Sequence, residues 1–232
     1  MSKKKSDKAG GVRVEGVEHA LTRAEQFIET YQKQIVRVVS VILGIVVLYM
    51  AFQRFYVEKK SHEAAAQMFP AEQYFENDNW ERALDGDGNN LGFTEIISDY
   101  RFTPSANLAK YYAGLCYLRL EEYEEAISYL SKFRSKDKIL SSIALGSIGD
   151  AYAQLGESGK AINLYKKAAE RRRNDFTSPL YLLRAGILLE QEGNLKEAGE
   201  LYERIKTNYA VSTEGRTIDK YISRVKVKQD SN

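Results

Sequence analysis

SIGDAYAQLGESGKAINLYKKA, residues 147–168, is the stretch that decides the fold of this chain. Its arrangement of small and aromatic residues occurs once more before it and once more after it. The corresponding glycines are Gly114, Gly149 and Gly186, so the period is 35 and then 37 residues. A period of about 34 residues, with small residues at fixed offsets, is typical of stacked helix-turn-helix units. The pattern therefore predicts an all-α fold made of helical hairpins.

The three glycines are predicted to lie mid-helix, where glycine costs about 1 kcal/mol relative to alanine. The twelfth position after each glycine is an alanine, and these alanines are Ala126, Ala161 and Ala198. We expect each glycine to face its alanine, because two small residues let paired helices approach closely. The bulky residues predicted to fill the space between neighbouring pairs are Tyr117, Leu130, Tyr152, Tyr165 and Tyr202. The turns inside the pairs are predicted at residues 121–123, 156–159 and 193–195.

This residue pattern resembles the tetratricopeptide repeat family over about residues 107–207. Lys110 and Leu145 stand, in the first two copies, where the family usually carries a tryptophan. The resemblance therefore rests on the small-residue and aromatic positions. It implies three tetratricopeptide repeats in a helical-hairpin solenoid, with the first helix of each pair lining a concave face.

The segments on either side of the three repeats also have helical patterns. Residues 57–106 are interpreted as a divergent first repeat with an insertion, because a helical stretch at 63–76 precedes a Gly- and Asn-rich loop at 85–90. Residues 208–232 are predicted to form a C-terminal capping helix and a tail, and such a helix shields the last repeat of a solenoid from water. Its apolar residues are expected on one face and its basic residues on the other: Ile218, Tyr221, Ile222 and Val225, against Arg216, Lys220, Arg224 and Lys226.

The loop at 85–90 imitates the start of a calcium-binding loop. Asp85, Asp87 and Asn89 have the spacing of its first three ligands. However, Asn90 replaces the glycine of the sixth position, and Ile96 replaces the bidentate glutamate of the twelfth. We therefore expect a plain turn rather than a calcium site.

Residues 38–52, VVSVILGIVVLYMAF, are a run of fifteen residues without a charge. Apolar flanks extend the run to residues 35–56, which is long enough for a transmembrane helix. Arg37 and Arg54 are placed where their side chains can reach the two membrane interfaces. The alternative is a buried core helix, although the run lacks the polar face that such helices usually carry. A cleaved signal peptide is not indicated, because no small-residue cleavage site follows Phe52.

The segment before the predicted span is basic. Residues 1–60 carry 11 Lys and Arg against 6 Asp and Glu, whereas residues 61–232 carry 23 against 26. Residues 1–34 are therefore predicted to be a cytoplasmic tail, and the repeats are predicted to lie on the opposite side of the membrane. Apolar residues spaced by three and four from Val14 to Ile35 predict an amphipathic helix. This helix either docks on the bilayer surface or on a membrane partner, or it simply continues the transmembrane helix. The protein would then be a single-pass protein of a bacterial inner membrane with periplasmic repeats.

Composition and motifs argue against catalysis. The neutral-to-acidic region 61–232 disfavours nucleic acid as a partner. Cys116 has no histidine nearby, since His19 and His62 lie far upstream, and it is predicted to be a small buried hydrophobe. The sequence contains no phosphate-binding glycine loop, no paired metal-ligand spacing and no serine–histidine–aspartate arrangement. Arg171, Arg172 and Arg173 are expected to be a solvated helix end. We expect no enzymatic activity, no cofactor, no metal and no small-molecule substrate.

The predicted partner-binding groove is the concave face of the repeats. The residues expected to line it are Leu108, Tyr111, Leu115, Leu118, Ile143, Asp150, Gln154, Leu180, Leu183, Ile187 and Gln191. Some tetratricopeptide domains hold a C-terminal carboxylate with Lys and Asn on this face, but Tyr111, Leu115 and Gly146 occupy those places here. The groove is therefore predicted to bind an apolar segment or an amphipathic helix. The alternative is that the first repeat or the capping helix covers it.

The order of the segments resembles the ancillary SecYEG translocon subunit family. The resemblance lies in the late span at 35–56, the alanine-containing helix at 61–76, the small-residue repeats and the ending Glu214-Gly215-Arg216. It implies a non-enzymatic protein that stands at the translocon and passes emerging polypeptides to periplasmic chaperones. Its partners would be the translocon, a chaperone or a client polypeptide, besides the membrane. The alternatives are a structural scaffold of an envelope complex for secretion, division or wall synthesis, and a regulatory subunit of a membrane enzyme.

Overall fold

The computed structural model describes the backbone of residues 11–231 and the side chains of residues 31–231. Within this range the chain is helical and contains no β-strand. The described residues divide into two units, one that ends at Tyr56 and one that begins at Val57. The lysines near the start of the predicted tail, and the side chains of the predicted amphipathic stripe up to residue 30, lie outside the described residues.

The first unit is dominated by one long helix, α1 (Gly11–Phe52), which a π-helix at Gln53–Val57 follows. Every side chain from Tyr31 to Met50 is exposed, which does not fit the alternative of a buried core helix. By length and composition, this helix is apolar enough to cross a membrane. The predicted span is not α-helical throughout, because its last four residues lie in the π-helix, where Tyr56 stacks on Phe52 at 5.1 Å.

The second unit is a succession of helices in which each packs against the next. It begins with α2 (Glu58–Glu76), α3 (Trp80–Asp85) and α4 (Phe93–Asp99). Three hairpins follow: α5 (Pro104–Arg119) with α6 (Tyr123–Lys132), α7 (Lys138–Gln154) with α8 (Ser158–Arg171), and α9 (Thr177–Gln191) with α10 (Leu195–Asn208). A 3₁₀ turn at Gly215–Thr217 precedes the last helix, α11 (Asp219–Asp230). The predicted all-α fold of stacked helical hairpins is confirmed.

The turns inside the three hairpins share one backbone conformation. In each turn one residue has a left-handed φ: Glu121 (64°), Gly156 (77°) or Gly193 (79°). The N–H of the following residue then donates to a carbonyl near the end of the preceding helix, as Asn194 N does to Leu189 O at 2.8 Å. Glycine takes this conformation without a steric penalty, whereas Glu121 takes it at a cost of about 1 kcal/mol.

Helices α2 and α3 meet at a turn of the same kind. Asp78 has a left-handed φ of 57°, and Asn79 N donates to Tyr74 O at 2.9 Å. Ala71 and Ala83 are both fully buried, and their separation in the sequence equals that between glycine and alanine in the later hairpins. The assignment of residues 57–106 as a divergent first repeat stays a prediction, and this turn and spacing support it.

Between α3 and α4 lies the loop whose sequence imitates a calcium site. The Asp87 carboxylate accepts hydrogen bonds from the Tyr74 hydroxyl at 2.7 Å and from the N–H groups of Asn89 and Asn90 at 2.9 and 2.6 Å. These donors, led by the Tyr74 hydroxyl, lower the pKa of Asp87 below its usual range. The described residues contain no group of three His, Cys, Asp or Glu side chains placed to hold a metal ion.

The packing around the hairpin glycines differs from the prediction. Cβ atoms added to Gly114, Gly149 and Gly186 would lie 2.5, 2.7 and 2.3 Å from side-chain atoms of Leu130, Tyr165 and Tyr202, respectively. These distances are too short for real contacts, so each glycine makes room for a large side chain on the second helix of its hairpin. The prediction that each glycine faces the alanine at the twelfth position after it is therefore wrong. The large residues lie over the glycines of their own hairpins, although the Tyr165 ring also stacks on Tyr181 of the next hairpin at 6.1 Å.

The last helix, α11, packs against α10 at the end of the hairpin series. Ile222 and Val225 are buried in this contact, and Ile218 just before the helix is fully buried. The basic face predicted for this helix is not wholly solvated, because Arg224 and Lys228 bind a carboxylate of α9.

Candidate functional site

Helices α5, α7 and α9, together with the α2–α3 turn, line a groove of about 940 Å³. Six residues predicted for partner binding line it: Leu115, Leu118, Ile143, Asp150, Gln154 and Leu180. None of the six is fully buried. The α2–α3 turn forms one wall of the groove, and no residue of α11 lines it. The first repeat therefore borders this groove through the α2–α3 turn, whereas the capping helix does not line it.

The remaining predicted residues lie elsewhere. Tyr111 is only 7% exposed and packs against Phe133, with ring centroids 5.2 Å apart, so it belongs to the core. Leu108 and Leu183 are half-buried against core clusters. Ile187 and Gln191 line a separate cavity of about 400 Å³ between α9 and α11.

Several residues that line the groove were not predicted. Phe75 and Trp80 come from either side of the α2–α3 turn, and their rings meet edge to face at 5.1 Å. Phe176, immediately before α9, also lines the groove and is 65% exposed. All three lie outside the first helices of the three repeats, on which the prediction relied. The clustering of aromatic residues beside the α2–α3 turn is the signal that could have revealed this wall.

A buried hydroxyl, a carboxylate and a guanidinium meet in the middle of the groove. The Tyr165 hydroxyl of α8 donates to Asp150 Oδ1 of α7 at 2.7 Å, and Arg184 of α9 binds the same oxygen. Arg184 also lies 5.7 Å from the centroid of the Tyr181 ring. Burial and the Asp150 charge raise the pKa of Tyr165 above its usual range. Burial lowers the pKa of Arg184, but the charge and hydrogen bond of Asp150, together with Tyr181 and Tyr165, outweigh it, so the net shift is upward. We call this set the Asp150 tie.

The last hairpin contains an equivalent set, which we call the Glu190 tie. The Glu190 carboxylate of α9 accepts from the Tyr202 hydroxyl at 3.2 Å, from Arg224 twice at 2.7 Å and from Lys228 at 2.9 Å. Its side chain is only 4% exposed. Burial raises the pKa of Glu190, but the hydrogen bonds from Arg224, Lys228 and Tyr202 prevail and lower it to about 2.

Neither tie was predicted, although both leave a trace in the sequence. Asp150 and Arg184 are 34 residues apart, and so are Glu190 and Arg224. In each tie the acid lies on the first helix of a hairpin, and the arginine lies on the helix that follows that hairpin: α9 for Arg184 and α11 for Arg224. In both ties the hydroxyl comes from the tyrosine that lies over the glycine of the hairpin.

The groups gathered at the groove suit binding better than nucleophilic chemistry. Asp150 and Arg184 satisfy each other, and the hydroxyl of Tyr165 is held by Asp150. Cys116 is fully buried, and burial raises the pKa of its thiol to about 12, so it carries no thiolate near neutral pH. Arg171–Arg173 are exposed at the end of α8, as expected. The absence of enzymatic activity stays a prediction.

Comparisons with known proteins identify the repeats. A sequence model of the tetratricopeptide repeat family matches residues 93–137 and 147–212. The human protein "Tetratricopeptide repeat protein 29" is 32% identical over 105 residues, which is 41% of this chain and 22% of that protein. The chain therefore spans about a fifth of the length of that relative.

Two solved structures have a similar fold. Both are crystal structures of the nearly identical TPR-like repeats of a putative kinesin light chain from Podosopora anserina, and one of them carries a single substitution. Their TM-scores are 0.56 and 0.55 at 16% identity, and they cover 76% and 73% of this chain and 91% and 88% of their own chains. Together with the family match, they confirm the prediction of tetratricopeptide repeats, a fold that typically serves as a non-catalytic scaffold for protein interactions.

Proposed function

Since residues 93–137 and 147–212 match the tetratricopeptide repeat model, we propose that the protein is a membrane-anchored adaptor that holds a polypeptide segment in its groove. The observation that carries this proposal is the convergence of Leu115, Ile143 and Leu180, from three successive hairpins, on one open groove. Their side chains are only partly buried, so an apolar partner would remove further apolar surface from water. A groove between helices that is lined in this way suits an apolar segment or the apolar face of a helix.

The anchor that we propose is the helix over residues 35–56. Its apolar side chains are exposed from Ile35 as far as Met50, and a lipid bilayer would cover them. Arg37 and Arg54 stand near the two ends, where their guanidinium groups could reach the interfaces. With the basic tail in the cytoplasm, residues 57–232 would lie on the other side of a bacterial inner membrane, in the periplasm.

In its finer form the proposal is assistance to protein translocation. The layout of tail, span and repeats resembles the ancillary SecYEG translocon subunits, which implies a position beside the channel. The groove would hold an emerging client polypeptide or a periplasmic chaperone. The client would thereby be passed from the translocon to the chaperone. A static scaffold of an envelope complex would instead keep one permanent partner in the groove.

Site-specific photocrosslinking in living cells tests the binding role. A photoreactive amino acid at Ile143 or Leu180, both in the groove, should capture translocon components, nascent chains or chaperones. The matched control is Lys167, an exposed residue of α8 that does not line the groove. Capture of one fixed structural partner alone, or equal capture from Lys167, would refute the proposal.

Protease accessibility tests the membrane topology separately. Protease added to spheroplasts should digest residues 57–232, and the same residues should be protected in inside-out membrane vesicles. The reverse pattern would place the groove in the cytoplasm and exclude a periplasmic hand-over.

A further inference from the structure

The groove is chemically unequal at its two ends. The end formed by the α2–α3 and α5–α6 turns carries three exposed carboxylates, those of Glu76, Asp78 and Glu121. At the other end, Phe176 and Leu180 present apolar surface. A partner that matches both ends must therefore be apolar over most of its length and charged at one end.

The acidic end is not neutralised within the described part of the protein. Among the side chains of residues 31–231, none of the three carboxylates forms an ion pair with a lysine or arginine. Arg119, the cation that lines this end, lies over the Trp80 ring, 6.0 Å from its centroid.

Two of these carboxylates stand on positions that favour another residue. Asp78 and Glu121 have the left-handed φ that Gly156 and Gly193 have in the later turns. An acidic side chain at such a position costs stability relative to glycine and brings a charge to the edge of the groove. The middle of the groove contributes no free charge, since Arg184 already binds Asp150 there.

From this charge distribution we infer that the groove takes an apolar polypeptide segment with lysine or arginine at one end. The inference rests on the proposed binding function and names the class of partner. The apolar body lies over Leu115, Ile143 and Leu180 and reaches Phe176, and the basic end meets Glu76, Asp78 and Glu121. The volume of about 940 Å³ lies within the range of single ligand sites, so the groove accommodates a short segment rather than a folded domain.

Fluorescence anisotropy with synthetic peptides tests this inference on the full-length protein in lipid nanodiscs. The probes are one short Leu/Ala peptide with two lysines at one end, the same peptide with two glutamines, and the same peptide with two glutamates. Empty nanodiscs provide the correction for binding to lipid. We expect the lysine peptide to bind about tenfold more tightly than the glutamine peptide, with the glutamate peptide weakest. Added salt should reduce this preference, because exposed charges are screened.

The decisive variant is Glu76→Gln with Asp78→Asn and Glu121→Asn. Asparagine tolerates a left-handed φ, so the two turns should still form. In this variant the lysine and glutamine peptides should bind equally well. The matched control is Glu124→Gln with Glu125→Gln and Glu192→Gln, which removes three exposed carboxylates that do not line the groove. It should keep the full preference.

The partner class and the binding function fail in different ways. Phe176→Ser should weaken all three peptides alike, because it removes apolar contact without changing charge. If no peptide binds, or if Phe176→Ser has no effect, the groove is not a binding site for apolar segments. If all three peptides bind equally, or if the decisive variant keeps the preference for lysine, the binding function survives and the basic-end inference is overturned.

Discussion

The hairpin α5–α6 differs from the two later hairpins in the residue that lies over its glycine. Leu130 fills that space in α5–α6, whereas Tyr165 and Tyr202 fill it in α7–α8 and α9–α10. A leucine needs no hydrogen-bond partner, but a buried tyrosine hydroxyl does. Each tyrosine finds a carboxylate on the first helix of its own hairpin, and that carboxylate binds an arginine from beyond the hairpin.

The difference over the glycine is accompanied by a difference in the groove wall beside it. Next to Leu130, the groove wall on α5 consists of Leu115 and Leu118, with Arg119 at the end of the helix. Next to Tyr165, the wall includes Asp150 and Arg184. The arrangement of tyrosine, carboxylate and arginine thus forms the polar centre of the groove in the Asp150 tie. In the Glu190 tie the same arrangement binds α11 to the last hairpin.

The largest effect should come from filling the space over a glycine. Gly149→Leu forces a side chain into the Tyr165 ring, whose Cε1 atom lies 2.7 Å from even a Cβ atom, so we expect the free energy of unfolding to fall by about 4 kcal/mol. Denaturant unfolding of the full-length protein in detergent, followed by circular dichroism, measures this. Gly159→Ala is the control, because a Cβ atom there meets nothing within 4 Å. Retention of full helicity and stability in Gly149→Leu would show that the ring does not occupy this space.

The next effect should come from removing the cations of the Glu190 tie. Arg224→Met with Lys228→Met leaves a carboxylate that is 4% exposed without a cation, and we expect a loss of about 3 kcal/mol in the free energy of unfolding. Lys220→Met with Lys226→Met changes the charge of the same helix equally but affects only exposed residues, so it should cost less than about 0.5 kcal/mol. Equal losses in the two double variants would mean that net charge, not the tie, stabilises α11.

The Glu190 tie should also make stability depend on pH. The pKa of the Glu190 carboxyl group is lowered from the ordinary value of 4.5 to about 2. Its contribution to the free energy of unfolding is therefore complete above about pH 4.5 and is lost as the pH falls to about 2. Glu190→Gln should lack this part of the pH dependence. The difference in unfolding free energy between the natural protein and Glu190→Gln should therefore shrink across this window. A difference that stays constant from pH 4.5 to pH 2 would contradict the assignment.

The smallest effect should come from the Asp150 tie. Arg184→Met leaves Asp150 without its cation, but this side chain is 28% exposed and water can solvate it. We therefore expect a loss of about 1 kcal/mol in the free energy of unfolding, clearly less than in the Arg224 and Lys228 double variant. The same denaturant experiment measures both variants. A loss as large as that of the double variant would show that the two ties do not differ in burial as described.

The sequence was sufficient to predict the repeat register but not the contact over each glycine. The alanine and the large residue that follow each glycine are one helical turn apart, so they share a helix face. Ala126 and Leu130 therefore fit the periodic pattern equally well, and only the fold shows that Leu130 covers Gly114. Tyr111 was misplaced because the repeat spacing does not report its contact with Phe133, which lies just after α6.

The groove itself was predicted in part. Residues on α5, α7 and α9 follow from the repeat, and Leu115, Ile143 and Leu180 were identified in this way. The wall from the α2–α3 turn was missed because the loop before α4 interrupts the repeat spacing there. The two ties depend on side chains of three helices meeting, which periodicity within one helix does not report.

The position of the Glu190 partners links the charge balance of α9 to the docking of α11. Arg224 and Lys228 both belong to the last helix, so the charge of α9 is balanced only after that helix has been synthesised and has docked. The residues of α11 also surround this carboxylate, since Glu190 shares a cavity with Tyr221, Arg224 and Lys228. Docking of α11 therefore brings the cations of Glu190 and the cover over its carboxylate in the same step.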